Sequence, residues 1–236
     1  MMATTEYVKY KNKIDKFSSH SLIVEKIVKL TPSDKNILDI GCFSGELLNR
    51  VRKSQNVSNN YFGGDLENYL SKDFDFVNFI SFDFNENNLS KSFENKKFDI
   101  VILGDILEHL VNPWNALNNI HQIIKNSSKI LISIPNSGHW YFRLKILFGK
   151  IEYTRNGLFD KTHLRFFTKK SAKELINDSK LEIVELSYSS LPWENLFKGG
   201  PVSKILSIFE RFLILLRPQL FAYQFIFLVK PVEHDR

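Results

Sequence analysis

Four apolar segments in the first 140 residues are typical of buried β-strands, and the first three end in an aspartate and the fourth in a proline. They comprise residues 37–39, 61–65, 98–105 and 128–135. Short continuous apolar runs of this kind are typical of parallel strands that are covered on both faces. Because helical patterns separate these segments, the sequence predicts an α/β protein with a doubly wound, mostly parallel sheet.

Helical periodicity between the strands supports the same architecture. Apolar residues at three- and four-residue spacing predict a short amphipathic helix over 17–30. A second helix is expected to begin at Glu46, directly after the first strand. A third is expected from Pro113 to about Lys125, since proline is tolerated in the first turn of a helix.

The last third of the chain predicts a strand over 181–189, a helix over 203–216 and a final strand over 221–229. The apolar residues of 203–216 are more numerous than one narrow helical stripe requires. Packing in the core is the favoured interpretation, and contact of part of this surface with a partner or a membrane interface stays open. The longest uncharged run, 218–229, is twelve residues long, whereas a spanning helix needs about twenty.

Length and cysteine content set broad limits. The 236 residues suit one large domain, residues 1–236, and they contain no internal repeat or low-complexity tract. The single cysteine, Cys42, excludes an internal disulfide framework and favours a reducing compartment. Residues 1–16 lack the apolar core of a secretory signal, so a cytoplasmic location is expected, with the inner face of a membrane as an additional site of contact.

Positive charge is concentrated in one segment. Residues 139–170 contain eight lysines or arginines and two acidic residues, and this surplus of six equals the net charge of the whole chain. Eight aromatic residues are interleaved with them. A basic, aromatic insertion at about 138–170 predicts a cap over a substrate site, suited to phosphorylated, sugar-nucleotide or anionic lipid acceptors and also to nucleic acid.

Residues 37–45, Ile-Leu-Asp-Ile-Gly-Cys-Phe-Ser-Gly, carry the most specific signal. An apolar strand ends near Asp39, a loop with Gly41 and Gly45 follows, and a helix begins at once. No Lys-Ser/Thr pair follows the second glycine, which excludes a Walker loop, and the three-glycine dinucleotide fingerprint is absent. The segment resembles motif I of the class I S-adenosylmethionine (SAM)-dependent methyltransferases, although Phe43 stands where that family most commonly has glycine.

Further segments match the same family in the expected order. Asp65 ends the second strand twenty residues after Gly45, where an acid can accept hydrogen bonds from ribose hydroxyls, with Glu67 as the second candidate. Asp83 occupies the position where relatives often have an acid beside the adenine amino group. Leu107-Glu108-His109 resembles the "LEH" segment of methyltransferases related to the ubiquinone-biosynthesis O-methyltransferases.

The segment 160–168 resembles a "D-x-T-H-x-R-x-F-T" stretch of these methyltransferases, which approaches the substrate side of the pocket. The resemblance makes His163 and Arg165 candidates for substrate contact. Thr168, or alternatively Ser171, can cap a helix that begins at Lys169.

The resemblance implies a Rossmann-like sheet of seven strands, mostly parallel, with an antiparallel last strand. It also implies SAM as the cofactor and S-adenosylhomocysteine (SAH) as the product. The expected cofactor-binding residues are Asp39, Gly41, Cys42, Gly45, Asp65, Leu66, Asp83, Phe84 and Gly104. The expected catalytic residues are His109, His163 and Asp105, and the expected substrate contacts are Asp160, Arg165, Tyr141 and Asn136.

The acceptor is left open by the sequence. The leading hypothesis is O-methylation of a sugar, a lipid-linked intermediate or another anionic metabolite, because a positioned histidine could take the proton of a hydroxyl acceptor. The alternatives are an RNA acceptor, or a catalytically silent SAM-fold module that serves as an interaction subunit. An Asn-Pro-Pro-Tyr motif is absent after the fourth strand, which disfavours DNA adenine and protein glutamine methylation. No His, Asp and Glu cluster has convincing metal-ligand spacing, so a metal-independent enzyme is expected.

Overall fold

A seven-stranded mixed sheet forms the centre of the protein. Its computed structural model describes residues 16–30, 33–85, 88–155, 157–193, 197 and 200–232. The strands are β1 (Asn36–Ile40), β2 (Asn60–Asp65), β3 (Val77–Ser81), β4 (Phe98–Gly104), β5 (Ile124–Pro135), β6 (Leu181–Ser189) and β7 (Gln224–Pro231). Their order is β3-β2-β1-β4-β5-β7-β6, with β7 antiparallel to both of its neighbours. The predicted fold class, with its antiparallel last strand, is confirmed.

Helices lie on both faces of this sheet. They are α1 (Ser19–Leu30), α2 (Glu46–Ser54), α3 (Leu89–Ser92), α4 (Pro113–Asn119), α5 (Trp140–Leu147), α6 (Lys169–Asp178), α7 (Pro201–Leu216) and α8 (Pro218–Phe221). Short 3₁₀ turns cover Leu107–His109 and Ile120–Gln122. The capping expectation for α6 is met by both candidate residues, because Thr168 and Ser171 form a reciprocal capping box.

The core consists of two apolar layers, one on each side of the sheet. Adjacent residues of β1 point to opposite sides, so Leu38 belongs to one layer and Ile37 to the other. The layer of Leu38 includes residues of α4 and α6, and that of Ile37 includes residues of α1 and α2. The chain reverses its strand order between β1 and β4, and in open α/β sheets such a point creates a crevice at the carboxyl ends of the strands.

Two expected boundaries are wrong. The helix from Pro113 ends at Asn119 instead of Lys125, and β5 already begins at Ile124. Ile124 pairs with Phe98, and the Ser128 hydroxyl donates to the Phe98 carbonyl over 2.6 Å, so the polar residues 126–128 lie within an irregular strand. The last strand begins at Gln224 instead of residue 221, because Pro218–Phe221 forms α8.

The favoured interpretation of 203–216 as a core helix is also wrong. α7 forms as expected, but most of its large apolar side chains are exposed, including Ile208, Phe212 and Leu215. Among the described residues, no helix combines the length and the apolar character needed to cross a membrane.

Candidate functional site

A cleft opens at the carboxyl ends of β1 and β4, at the switch point of the sheet. It is lined by His20, Asp39, Gly41, Cys42, Phe43, Ser44, Glu46, Leu47, Gly104 and Asp105. The expected site residues of the first glycine loop and of the end of β4 therefore lie together in one cleft.

The loop from 41 to 45 owes its shape to positive φ angles. Gly41 has φ 76°, and a Cβ there would lie 2.5 Å from Cδ1 of Ile106, so a larger residue would displace that side chain. Gly45, with φ 77°, precedes the first turn of α2 without any side-chain hydrogen bond to that turn. The first N–H groups of α2 are thus left to a ligand or to solvent.

Phe43 adopts the conformation that glycine would normally supply at its position. Its φ is 42°, in the left-handed region that costs a non-glycine residue about 1–2 kcal/mol. The Phe43 N–H donates to Asp65 Oδ2 over 3.0 Å, and its ring packs against Tyr69 at a centroid distance of 5.4 Å. The loop therefore keeps the backbone shape of a glycine loop while adding an aromatic ring.

Asp39 lies at the base of the cleft and is almost completely buried. Burial, reinforced by the charge of Asp65, raises the pKa of Asp39 to about 8. A carboxyl in this state becomes ionised most easily when a cation approaches it. Cys42 is buried beside it, and burial raises the pKa of its thiol well above the ordinary value, so the thiol is inert as a nucleophile.

The acids after β2 and β3 organise the rim of the cleft. Asp65 accepts hydrogen bonds from the N–H groups of Phe43 and Leu66, which ties the glycine loop to the end of β2. Asp83 accepts from the backbone N–H of Asn85 over 2.8 Å and forms an Asx turn. Phe84 is buried, whereas Leu66 is exposed.

Asp105 stands at the end of β4 with φ 55°. Its Oδ1 accepts hydrogen bonds from the Ser133 hydroxyl over 2.5 Å and from Gln224 Nε2 over 2.9 Å. These two donors come from β5 and β7, so three neighbouring strands fix the orientation of one carboxylate at the edge of the cleft.

His109 and His163 form a pair whose ring centroids are 4.8 Å apart. His109 Nδ1 lies 3.1 Å from the Thr162 carbonyl oxygen, to which an Nδ1–H would donate a hydrogen bond. Burial, and then the neighbouring His109, lower the pKa of His163, although Asp160 and Asp105 oppose this. His163 is therefore neutral at pH 7.

Glu108 adds a carboxylate to this pair. Its Oε1 lies 3.9 Å from His163 Nε2, and candidate ligand atoms of Glu108, His109 and His163 lie within 4.8 Å of one another. Ligands about 2.1 Å from a zinc ion would lie roughly 3.5 Å apart, so this arrangement is wider than a formed site. Sequence reasoning missed the cluster, because His163 stands far from the other two residues in the chain.

A second cavity of about 400 Å³ lies between α5 and the segment after β6. Its lining consists of His139, Trp140, Tyr141, Lys145, Lys150, Glu152, Thr154, Gly157, Leu158, Phe159, Leu191, Trp193 and Tyr223. Aromatic faces dominate it, and two lysines and one glutamate supply its charges. Most of these residues belong to the basic segment 139–170.

Two polar side chains of this lining, one buried and one partly buried, have shifted pKa values. His139 Nδ1 accepts from the Tyr141 N–H, while its Nε2 is buried and has no hydrogen-bond partner among the described residues. Burial lowers the pKa of His139 to about 4, so the ring is neutral. Burial, together with the charge of Asp105, raises the pKa of Tyr223 to about 12.

The four expected substrate contacts have different surroundings. Tyr141 lines the 400 Å³ cavity. Asp160 accepts from the N–H and hydroxyl of Thr162 and shapes a turn. Arg165 donates to the Val111 carbonyl, and Asn136 is fully buried with its amide bonded to the backbone of residues 138, 219 and 222. The amide of Asn136 thus fixes the conformation of its loop.

Tyr223 and Gln224 are candidate site residues that sequence reasoning missed. The available signal was the antiparallel last strand: the residues that begin such a strand lie at the same edge as the residues that end its parallel neighbours. In the structure Gln224 pairs with Pro135 at the end of β5.

The fold and the glycine-loop cleft define a class I SAM-dependent methyltransferase. The chain belongs to the family described as "Methyltransferase domain", whose model matches residues 13–186. The search of curated proteins gives no significant match.

Several solved structures share the fold of this chain. A SAM-dependent methyltransferase from Archaeoglobus fulgidus aligns with a TM-score of 0.57 at 22% identity, over 92% of this chain and 96% of that one. A putative methyltransferase of Haloferax volcanii, solved in complex with the Trm112 methyltransferase activator, aligns with a TM-score of 0.64 at 12% identity. The alignment covers 99% of this chain and 97% of that one. The plantazolicin methyltransferase BamL, in complex with a triazolic desmethylPZN analog and SAH, aligns with a TM-score of 0.61 at 17% identity. The alignment covers 97% of this chain and 90% of that one.

Proposed function

We propose that this methyltransferase transfers the SAM methyl group to a hydroxyl of a small acceptor held in the 400 Å³ cavity. The contact between Gln224 and Asp105 carries the proposal. Asp105 lines the cofactor cleft, and Gln224 directly follows Tyr223, which lines the acceptor cavity. The cofactor cleft and the acceptor cavity are therefore linked through two consecutive residues of the chain, Tyr223 and Gln224.

The residues of the cleft fit the cofactor. Asp39 would hold the ammonium group of SAM, because a buried carboxyl with a raised pKa is stabilised as an anion by a cation. The uncapped start of α2 would face the SAM carboxylate. Gly41, Cys42, Gly45 and Gly104 would let the backbone approach, and Asp65, Leu66, Asp83 and Phe84 would surround the ribose and adenine.

The chemistry that SAM supplies is a methyl group on a sulfonium, which is already a good leaving group. The protein has to align the acceptor, exclude water and remove the hydroxyl proton. His163, whose pKa is lowered by burial, would accept this proton, and the adjacent His109 is the alternative base. The carboxylate of Asp105, held by Ser133 and Gln224, would orient the acceptor or stabilise the protonated histidine.

The lining of the cavity favours an acceptor that has both a ring and a negative charge. Trp140 and Tyr141 offer aromatic faces on which a sugar or another ring can stack. Lys145 and Lys150 offer cations to a phosphate or carboxylate. A sugar phosphate, a lipid-linked sugar or another anionic metabolite meets both requirements, and a lipid-linked acceptor would bring the protein to the inner face of a membrane.

A matched pair of tryptophan variants tests the acceptor site. Trp140 lines the cavity and is 37% exposed, whereas Trp114 is 40% exposed and is not part of that lining. With methyl-labelled SAM and extracted metabolite fractions as the acceptor source, Trp140→Ala should raise the acceptor KM about tenfold through lost stacking. Trp114→Ala should not change it, and neither variant should alter SAH affinity. Equal KM values in the two variants would place the acceptor elsewhere.

The observed basic surplus also supports an RNA acceptor as the second candidate. Ribonuclease treatment of the extract would then abolish labelling, whereas a small acceptor would survive it. A catalytically silent interaction module predicts no SAH binding at all, so a calorimetric titration with SAH separates that alternative from both enzymatic ones.

A further inference from the structure

The amphipathicity of α7 is inverted with respect to the protein core. Its exposed side contains only large apolar residues at positions i, i+3, i+4, i+7, i+10 and i+11, and they are 56–83% exposed: Ile205, Ile208, Phe209, Phe212, Leu215 and Leu216. Its buried side includes Ser203 and Glu210 beside Ile214. A helix in contact with water normally has the opposite distribution.

The polar contacts of Glu210 fix this orientation. Its carboxylate, which is 6% exposed, accepts hydrogen bonds from the Leu191 N–H and, over 2.6 Å, from the indole N–H of Trp193. The Ser203 hydroxyl donates to the Gly200 carbonyl over 2.8 Å. The Ser203 bond stays within the first turn of α7, but rotating α7 to hide its apolar side would break the bonds of Glu210 and leave its carboxylate without these donors.

Cations flank the apolar side of α7. Lys204 and Arg211 are exposed next to it, and the guanidinium of Arg211 lies 3.6 Å from the centroid of the Phe17 ring. Helices that lie in a membrane interface combine a wide apolar side with flanking lysines and arginines in this way.

The segment of α5 also combines exposed apolar side chains with nearby cations. Leu144, Leu147 and Phe148 are 43%, 75% and 69% exposed, and Arg143 and Lys145 belong to the same stretch. α5 supplies Lys145 to the lining of the acceptor cavity, and α7 is connected to that cavity by the hydrogen bond from the lining residue Trp193 to Glu210.

We propose that α7 and α5 form a docking surface for an anionic lipid bilayer. Charge complementarity selects this occupant over a second copy of the chain. The chain has a net charge of +6, and the surplus lies in residues 139–170, which include α5. A symmetric dimer through this surface would bring the same cations together, whereas anionic headgroups neutralise them.

Docking would place the acceptor cavity at the membrane surface. An acceptor with a hydrocarbon tail could then leave the tail in the bilayer and insert its polar group between Trp140 and Trp193. This consequence rests on the proposed function, but the docking itself does not.

Vesicle sedimentation tests the docking. The full-length protein should pellet with vesicles of equal parts phosphatidylglycerol and phosphatidylcholine, and much less with pure phosphatidylcholine. The double variant Ile208→Ser/Phe212→Ser should bind the anionic vesicles at least about tenfold more weakly, since both side chains would lose their apolar burial. Lys204→Glu should weaken binding and reduce its sensitivity to salt.

The matched control is Val57→Ser/Val184→Ser, which removes two apolar residues that are 41% and 49% exposed elsewhere on the surface. It should bind like the wild type. All variants should keep the wild-type melting temperature, since the altered side chains are exposed.

Failure to bind anionic vesicles, or equal binding by the α7 variant and the control, would overturn the proposal. So would a stable wild-type dimer in sedimentation velocity that Ile208→Ser/Phe212→Ser converts to monomer, because α7 would then be covered by a second copy. SAH titration of the same preparations reports separately on the cofactor site, so a failure of docking and a failure of the proposed function are distinguishable.

Discussion

Gln224 Nε2 donates a hydrogen bond to Asp105 Oδ1 over 2.9 Å, although 119 positions separate the two residues in the chain. The same oxygen accepts from Ser133, so the Asp105 carboxylate is held from two directions. The last strand of the sheet thereby helps to set the geometry at the mouth of the cofactor cleft.

Replacing Gln224 by leucine should therefore affect turnover more than cofactor binding. Gln224→Leu removes one donor to the Asp105 carboxylate, and we expect kcat to fall about tenfold because a hydrogen bond to a charged group is lost. SAH affinity, measured by calorimetry, should change less than twofold by comparison. An unchanged kcat would show that the orientation of Asp105 does not limit the reaction.

The raised pKa of Asp39 predicts that cofactor affinity depends on pH. Below a pKa of about 8 the carboxyl of the free protein is mostly protonated, and the ammonium of SAH should select the ionised form. Affinity should then rise between pH 6 and pH 8, by at most about tenfold per pH unit. Calorimetry in buffers of different ionisation enthalpy should show proton release, and Asp39→Asn should bind weakly with no such dependence. A flat pH profile in the wild type would contradict a contact between Asp39 and the ammonium.

The same shift predicts a trade-off between stability and binding. Because the folded-state pKa of Asp39 lies above its unfolded value of 3.8, the folded state holds the extra proton between these values. The stabilisation that this bound proton gives to the folded state therefore decreases, and the free energy of unfolding falls, as pH rises toward 8. In Asp39→Asn the free energy of unfolding should not fall with pH in this way, so at pH 8 this variant should unfold at a higher urea concentration than the wild type.

The histidine pair predicts a specific pH–rate profile. A general base must be unprotonated, so kcat should rise with pH through the pKa of the acting histidine and then level off. If His163 acts, this rise occurs below the ordinary histidine value, because burial lowers the pKa of His163. His163→Ala should slow turnover about 100-fold and leave SAH affinity unchanged. His109→Ala is the companion variant, and normal turnover in both would exclude a histidine base.

The backbone of Phe43 can be tested separately from its ring. Phe43→Ala and Phe43→Gly both remove the contact with Tyr69, but only glycine relieves the left-handed φ of 42°. We expect the glycine variant to be about 1 kcal/mol more stable than the alanine variant in urea unfolding. Equal stability would mean that the loop relaxes when the ring is removed.

Metal independence stays a prediction that a chelator can check. The wide spacing of Glu108, His109 and His163 leads us to expect full activity after dialysis against EDTA. Loss of activity that zinc restores in the wild type, but not in Glu108→Gln, would instead identify these residues as ligands.

Strands that are determined by a short local sequence pattern could be predicted from the sequence. β1, β2 and β4 were predicted closely, because apolar runs that end in Asp39, Asp65 and a glycine–aspartate pair determine both strand and edge. The end of α4 was missed, because the polar residues 126–128 resemble a loop, whereas in the structure they form an irregular part of β5 between Ile124 and Lys129, which pair with β4.

The acceptor side could not be predicted to the same extent. Tyr223 and Trp193 reach one cavity from separate parts of the chain, and nothing near either residue indicates the other. The orientation of α7 was equally hidden, since it depends on Glu210 contacting residues about twenty positions earlier. Tertiary contacts of this kind leave no periodic signal in the sequence.

The burial of Cys42 has a practical consequence. The only thiol of the chain is buried and its pKa is raised, so alkylating reagents should leave it unmodified in the folded protein. A cysteine introduced at Ile208 would then be the single reactive position, without any need to remove the native one. A nitroxide attached there would report how deeply that side of the helix enters a bilayer.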